Sequence, residues 1–176
     1  FTLSESLGLP AEAMAPGGEP TFRPDKNAAK RFNELLEFGG FPEPFISQDP
    51  KTLRRFQNER VDRLVKEDIR DVETVRDLSA IQILTDILPE KVGSQFSLNS
   101  LREDLQVTHK TMSSWVDILE RFYYHFRVYP YASSRIKSLR KEPKLYLWDW
   151  AQVTASGPKL ENLVASHLLK TVHFLY

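Results

Sequence analysis

Apolar residues return every three or four positions through most of this 176-residue chain, the spacing of helices that bury one face. From Asn27, the residues Ala28, Phe32, Leu35 and Leu36 share a face, and Gly39-Gly40 with Pro42 and Pro44 stops the helix as a C-cap and rigid turn. A long helix is predicted over about Pro50 to Val72, with Leu53, Phe56, Val61, Leu64, Val65 and Ile69 as its stripe. Its basic residues, Arg54, Arg55, Arg60, Arg63 and Lys66, alternate with acids and read as a solvated face. Another helix is predicted from Asp77 to Leu88, ended by Pro89 and Gly93. After a break at Gly157-Pro158, a last helix from Lys159 carries a stripe of Leu160, Leu163, Val164, Leu168 and Val172, expected to pack inward. Residues 1–26, punctuated by Pro10, Pro16, Gly17, Gly18, Pro20 and Pro24, read as an irregular lead-in.

The stretch from Phe96 to Trp148 has a pattern of its own. Ser97 is a good N-cap for a short helix bearing Leu98, Leu101 and Leu105, and Thr108 caps a second with Met112, Trp115, Val116, Leu119 and Phe122 on one side. Two helices joined by a tight turn form the helix-turn-helix pattern. An aromatic strand over 123–131, a basic loop from Ser133 to Lys141 and a second strand over 143–148 then read as a β-hairpin wing. The fold class is therefore mainly α (α+β): a helical bundle with a winged helix-turn-helix and a small hairpin.

Charge sharpens this picture. The whole chain is balanced, with 24 basic and 24 acidic residues, yet residues 121–144 hold Arg121, Arg127, Arg135, Lys137, Arg140, Lys141 and Lys144 against Glu142 alone. Lysine and arginine on a wing neutralise phosphates, and small polar residues early in a recognition helix reach a groove. The candidate DNA-binding residues are His109, Lys110, Thr111, Ser113, Ser114, Arg135, Lys137, Arg140 and Lys141, with double-stranded DNA as the partner. The tyrosines and Trp115 are assigned to core packing rather than base stacking, and Arg70 to a salt bridge with a nearby acid.

No phosphate-binding G-x-x-x-x-G-K-[ST] loop and no G-x-S-x-G elbow occurs, and His109, His125, His167 and His173 lack metal-ligand spacing. No catalytic residue, metal site or cofactor is assigned within the chain. There is no cysteine, which fits a reducing, cytoplasmic compartment, and no apolar run of the roughly 20 residues a membrane span needs.

Several short phrases occur in order: Phe1-Thr-Leu-Ser-Glu5, Gly39-Gly-Phe-Pro-Glu43, Ile69-Arg-Asp71, the helix-turn-helix, Pro143-Lys-Leu-Tyr146 with Asp149 after it, and Glu161-Asn-Leu-Val164. With this set the chain resembles the C-terminal half of a prokaryotic AAA-type ATPase carrying a C-terminal domain of unknown function. The resemblance implies that residues 1–50 are the tail and lid of a nucleotide-binding module whose ATP and Mg²⁺ site precedes Phe1. It implies a winged helix over 51–148, and over 149–176 the start of a restriction-endonuclease-like domain with Glu161 where such folds place an acid. Three functions follow: DNA contact by the winged helix, a scaffold coupling the ATPase to a partner protein, or part of a truncated nuclease. An oligomer fits any of them.

Overall fold

The computed structural model describes residues 1–9, 25–69, 78–134, 136 and 141–175, with backbone alone at 173–175. Of the expected features, Arg70, Val72 and most of the basic loop lie outside the described residues.

The chain begins with one helical turn, α1 (Leu3–Ser6), where an irregular lead-in was expected. Thr2 and Glu5 form a reciprocal capping box there, each side chain bonding the other's backbone N–H. α2 (Ala28–Phe38) ends at Gly39, whose φ of 79° and N–H bond to the Leu35 carbonyl close the helix. Instead of a bare turn, the prolines that follow start a short helix, α3 (Pro42–Ser47), with Pro42 in its first turn, where no N–H is needed. α4 (Pro50–Arg63) is capped by Asp49, which accepts from Thr52 N at 2.9 Å.

The predicted long helix does not continue as α. Leu64–Ile69 is a π-helical turn. Residues five apart stack in a π-helix, and this puts Leu64 and Ile69 on one side, both buried. α5 (Leu78–Ile87) and a 3₁₀ turn (Leu88–Lys91) return along it.

The winged-helix pattern follows in order: α6 (Leu98–Asp104), α7 (His109–Arg121), β1 (His125–Val128) and β2 (Lys144–Leu147). The strands pair antiparallel, with Phe126 opposite Tyr146. A bridge between Gln95 and Lys144, with Phe96 N bonded to the Pro143 carbonyl at 2.9 Å, lays a rudimentary third strand beside β2. β1 is shorter than the predicted 123–131 strand. Tyr123 adopts a φ of 55° and closes α7, donating to the Glu120 carbonyl, while Tyr124 N bonds the Leu119 carbonyl.

The main core is built from α5, α6, α7, the hairpin and the π-turn, with Leu84, Leu88, Met112, Leu119, Tyr124 and Leu145 fully buried. Trp115 and Tyr124 belong to it, as the pattern required, whereas Tyr123 and Tyr131, also assigned to core packing, are exposed because the strand that was to bury them spans only His125–Val128. A smaller core joins Leu35, Phe45, Trp150 and Leu163. The 3₁₀ turn Trp150–Gln152 leads into α8 (Ser156–Leu175), which starts three residues before Lys159 and takes Gly157-Pro158 into its first turn rather than breaking there.

α8 overturns one expectation. Only Leu163 of its predicted stripe is buried; Leu160, Val164, Leu168 and Val172 face outward. The inner face carries Asn162 and Ser166 instead. Asn162 Nδ2 donates to the Leu147 carbonyl and its Oδ1 accepts from Leu147 N, both at 2.8 Å. This side chain closes the free edge of β2 as another strand would, and Ala165 and Leu169 pack on the main core from the same side, so hydrogen bonding and apolar contact together set the rotation of α8.

Candidate nucleic-acid interface

α7 positions the site because its apolar stripe is held in the core and its opposite side is left to solvent. Thr108 caps it, accepting from Thr111 N at 3.1 Å. On the outer side His109, Lys110, Ser113, Ser114, Asp117 and Arg121 line one open depression of about 600 Å³. Four of the sequence candidates meet there. Thr111 does not line it; its hydroxyl lies 2.9 Å from the Thr108 hydroxyl and belongs to the cap. Lys141 is exposed at the start of the return to β2, whereas Arg135, Lys137 and Arg140 lie outside the described residues.

Sequence reasoning left Asp117 and Arg121 off the candidate set. Helical periodicity could have found them, since they follow Lys110 and Ser114 round the same face.

Arg127 and Lys144, among the described basic residues of 121–144, are held by acids. Arg127 on β1 donates to Glu120 through its backbone N (2.9 Å) and Nε (2.8 Å), and its Nη2 reaches both Glu120 and, at 2.7 Å, Asp117. It therefore ties the wing strand to α7 and covers the acid that faces the depression. Lys144 Nζ donates to Glu161 at 2.8 Å, and Tyr146 OH to the same oxygen at 2.7 Å. These bonds hold the Glu161 carboxyl below its usual range.

Behind α7, His125 is fully enclosed. Its Nε2 lies 3.0 Å from the Val116 carbonyl, so Nε2 bears the proton, and Nδ1 is buried with no hydrogen-bond partner. Burial pushes its pKa down to about 4, against the pull of Glu120.

Three of the phrases that carried the family resemblance, at Phe1, Gly39-Gly40 and Asp149, meet elsewhere, at the seam between α2–α3, α4 and the 3₁₀ turn after β2. A Cβ on Gly39 would lie 3.0 Å from Asp149 Oδ1, and one on Gly40 would lie 2.5 Å from the Trp150 ring. Asp149 is buried and accepts from Gln57, Gln152 and Ala151, each at 3.2 Å. Burial raises its pKa against the opposing field of Arg60. Arg60 is not on a solvated face as expected: its guanidinium sits 4.6 Å from the centre of the Phe41 ring and donates to the Tyr123 carbonyl at 2.9 Å. The seam is packing, and it fixes the winged helix to the first three helices.

Among the described residues, no cluster of three or more histidine, aspartate or glutamate side chains is placed to hold a metal ion, and no helix is long and apolar enough to cross a membrane.

Helix order, the α6–α7 turn and the hairpin define a winged helix-turn-helix unit with a polar depression on its second helix. The chain belongs to the family described as domain of unknown function DUF8612, whose model matches residues 29–156. It is 29% identical over 122 residues to the uncharacterised protein MJ1637 of Methanocaldococcus jannaschii, covering 61% of this chain and 26% of that protein. It is 25% identical over 146 residues to the uncharacterised protein MJ1544 of the same organism, covering 77% of this chain and 33% of that protein. The chain thus matches about a quarter to a third of the length of these relatives. No solved structure matches it.

Proposed function

We propose that the winged helix contacts duplex DNA through the outer face of α7 and the basic loop between β1 and β2. The observation that carries this reading is the open depression on α7 that joins Lys110 and Arg121 with His109, Ser113 and Ser114. Cations there would meet phosphates, and the serine hydroxyls would bond phosphate oxygens or base edges. Asp117 opposes phosphate, and the Arg127 contact reduces that opposition. With one lysine and one arginine on the helix, contact is with the backbone and sequence preference is weak.

We further propose that the chain works as the C-terminal region of a longer AAA-type ATPase, in cytoplasm. The ordered phrases support this, and the greater length of the relatives leaves room for a nucleotide-binding module. ATP and Mg²⁺ belong to that module, and no residue of this chain is assigned to them. ATP binding by the longer protein, lost on changing its phosphate-loop lysine, tests this part.

The DNA reading is tested by fluorescence anisotropy with a short duplex between about 50 and 200 mM salt. Binding is expected at low salt and should weaken steeply with added salt. Lys110→Glu and Lys141→Glu should each weaken it further. A flat signal at about 50 mM salt overturns the DNA reading and favours a scaffold that couples the ATPase to another protein.

A further inference from the structure

An acid stands in the middle of the outer face of α7. Asp117 follows Lys110 by two turns and precedes Arg121 by one, so the depression they share holds a carboxylate between two cations. This acid is built into the face. Its Oδ1 accepts from Arg127 Nη2 at 2.7 Å, and Arg127 is itself fixed by Glu120, through its backbone N at 2.9 Å and its Nε at 2.8 Å. The Arg127 side chain is 16% exposed and that of Asp117 is 51% exposed. One carboxyl oxygen is thus spent on holding the group still. The other, Oδ2, makes no hydrogen bond among the described residues and remains able to accept.

We propose that Asp117 reads cytosine in the major groove, accepting from its exocyclic N4 amine. This rests on the DNA reading above and supplies the source of whatever sequence preference that contact has. The chemistry narrows the choice of base. An α-helix enters duplex DNA by the major groove. A carboxylate only accepts hydrogen bonds, so it gains nothing from phosphate oxygens, nor from guanine or thymine, whose edges there show only acceptors. Adenine offers an amine beside the N7 acceptor. Cytosine alone shows a donor with no acceptor next to it on the same base.

Side-chain length and charge agree with that placement. Lys110 and Arg121 have the reach to meet phosphates on the walls of the groove, and the short Asp117 between them faces its floor. Asp117 and Glu120 set two carboxylates against the one guanidinium of Arg127, so the demand for a further donor survives the pairing. Because Arg127 presets the carboxylate, little freedom is lost when the base is met.

Selection from a pool of duplexes randomised over roughly one helical turn, at about 50 mM salt, tests the proposal, with anisotropy on the enriched duplex. The wild-type chain should enrich a C·G pair at one position, and changing that pair to T·A should weaken binding about tenfold. Asp117→Ala should bind the two duplexes equally, and the T·A duplex more tightly than the wild type does, because the repulsion is gone. Asp117→Asn should move the preference to adenine, since an amide pairs with N6 and N7 together. It also keeps an acceptor for Arg127, so its switch carries the test even where the alanine variant loses stability. Binding without an enriched C·G pair, a C·G preference that persists in Asp117→Ala, or one unaltered in Asp117→Asn overturns the assignment and leaves DNA contact standing. Absence of wild-type binding at this salt overturns the DNA reading, and the assignment with it.

Discussion

α7 and α8 are both amphipathic in sequence, yet they are rotated in opposite senses relative to their apolar stripes. In α7, Met112, Trp115, Val116 and Leu119 turn into the core and the polar side faces solvent. In α8, four of the five stripe residues face out, and Asn162, Leu163 and Ser166 face in. Periodicity tells which residues share a face. It does not tell which way the face points when a competing demand exists. α7 meets no such demand on its side chains, because its inner neighbours are mostly apolar and the polar one, His125, is met by the helix's own Val116 carbonyl. α8 crosses the exposed edge of β2, where the N–H and carbonyl of Leu147 need partners, and the asparagine supplies both.

The largest expected effect separates the two helices directly. Leu119→Ala on α7 opens a cavity in a fully buried site and should destabilise by about 2–5 kcal/mol. Leu168→Ala on α8 removes the same atoms from the surface and should change stability by no more than about 0.5 kcal/mol. Urea denaturation of both variants at low micromolar concentration checks this. Equal losses would mean that Leu168 is packed against the rest of the chain.

A pH series probes the α7 side through His125, and His167 on α8, whose pKa burial also lowers, adds in the same direction. The folded pKa of His125, about 4, lies below the ordinary 6.5, so the unfolded chain takes up the proton first. Stability from this site is complete above pH 6.5 and falls as pH drops from 6.5 toward 4, by about 3 kcal/mol in all. His125→Gln keeps a donor near the Val116 carbonyl without a titrating ring, and its urea midpoint should lose most of that acid dependence. A wild-type midpoint that is flat between pH 7 and 4.5 would place a partner at Nδ1.

Asn162→Ala probes the cause of the inversion. It leaves the Leu147 N–H and carbonyl buried and unpaired, at a cost of about 2–4 kcal/mol. Hydrogen exchange should show the loss first at Leu147, within β2. Ser166→Ala, which removes a hydroxyl with only a 3.3 Å bond to Asn162, should cost less.

Most of the architecture was legible in these patterns, and the misses have specific causes. The helix-turn-helix could be read because Ser97 and Thr108 mark two starts and the stripe of α7 is unbroken. The π-turn was hidden because Leu64, Val65 and Ile69 fit an α stripe nearly as well as a five-residue repeat. Arg60 looked like one more surface cation, since nothing local shows that Phe41 and the Tyr123 carbonyl will meet it. In the candidate site, helical spacing brought His109, Lys110, Ser113 and Ser114 together. The fate of Arg127 depended on a contact across the α7–β1 turn, which neither composition nor spacing reveals. Gly39 and Gly40 drew attention as a cap, and the cap is real; the bulk of Trp150 and Asp149 against them was the further reason no spacing could supply.

The smallest effect concerns how α7 is entered and left. α6 ends on Gln106 and α7 on Tyr123, both left-handed, with φ of 53° and 55°. Each makes the same paired closure: Val107 N to the Arg102 carbonyl and Gln106 N to the Glu103 carbonyl in one, Tyr124 N to Leu119 and Tyr123 N to Glu120 in the other. Glycine takes this conformation without the Cβ clash, so its effect depends on what the side chain otherwise does. Gln106 is exposed, and Gln106→Gly should stabilise by about 0.5–1 kcal/mol, read as a higher urea midpoint at unchanged slope. The Tyr123 ring packs edge-on to Trp148 at 5.7 Å, so in Tyr123→Gly the conformational gain and the lost ring contact should nearly cancel. If Gln106→Gly destabilises instead, the α6–α7 turn does not hold the left-handed closure in solution, and the placement of the α7 face relative to α6 fails with it.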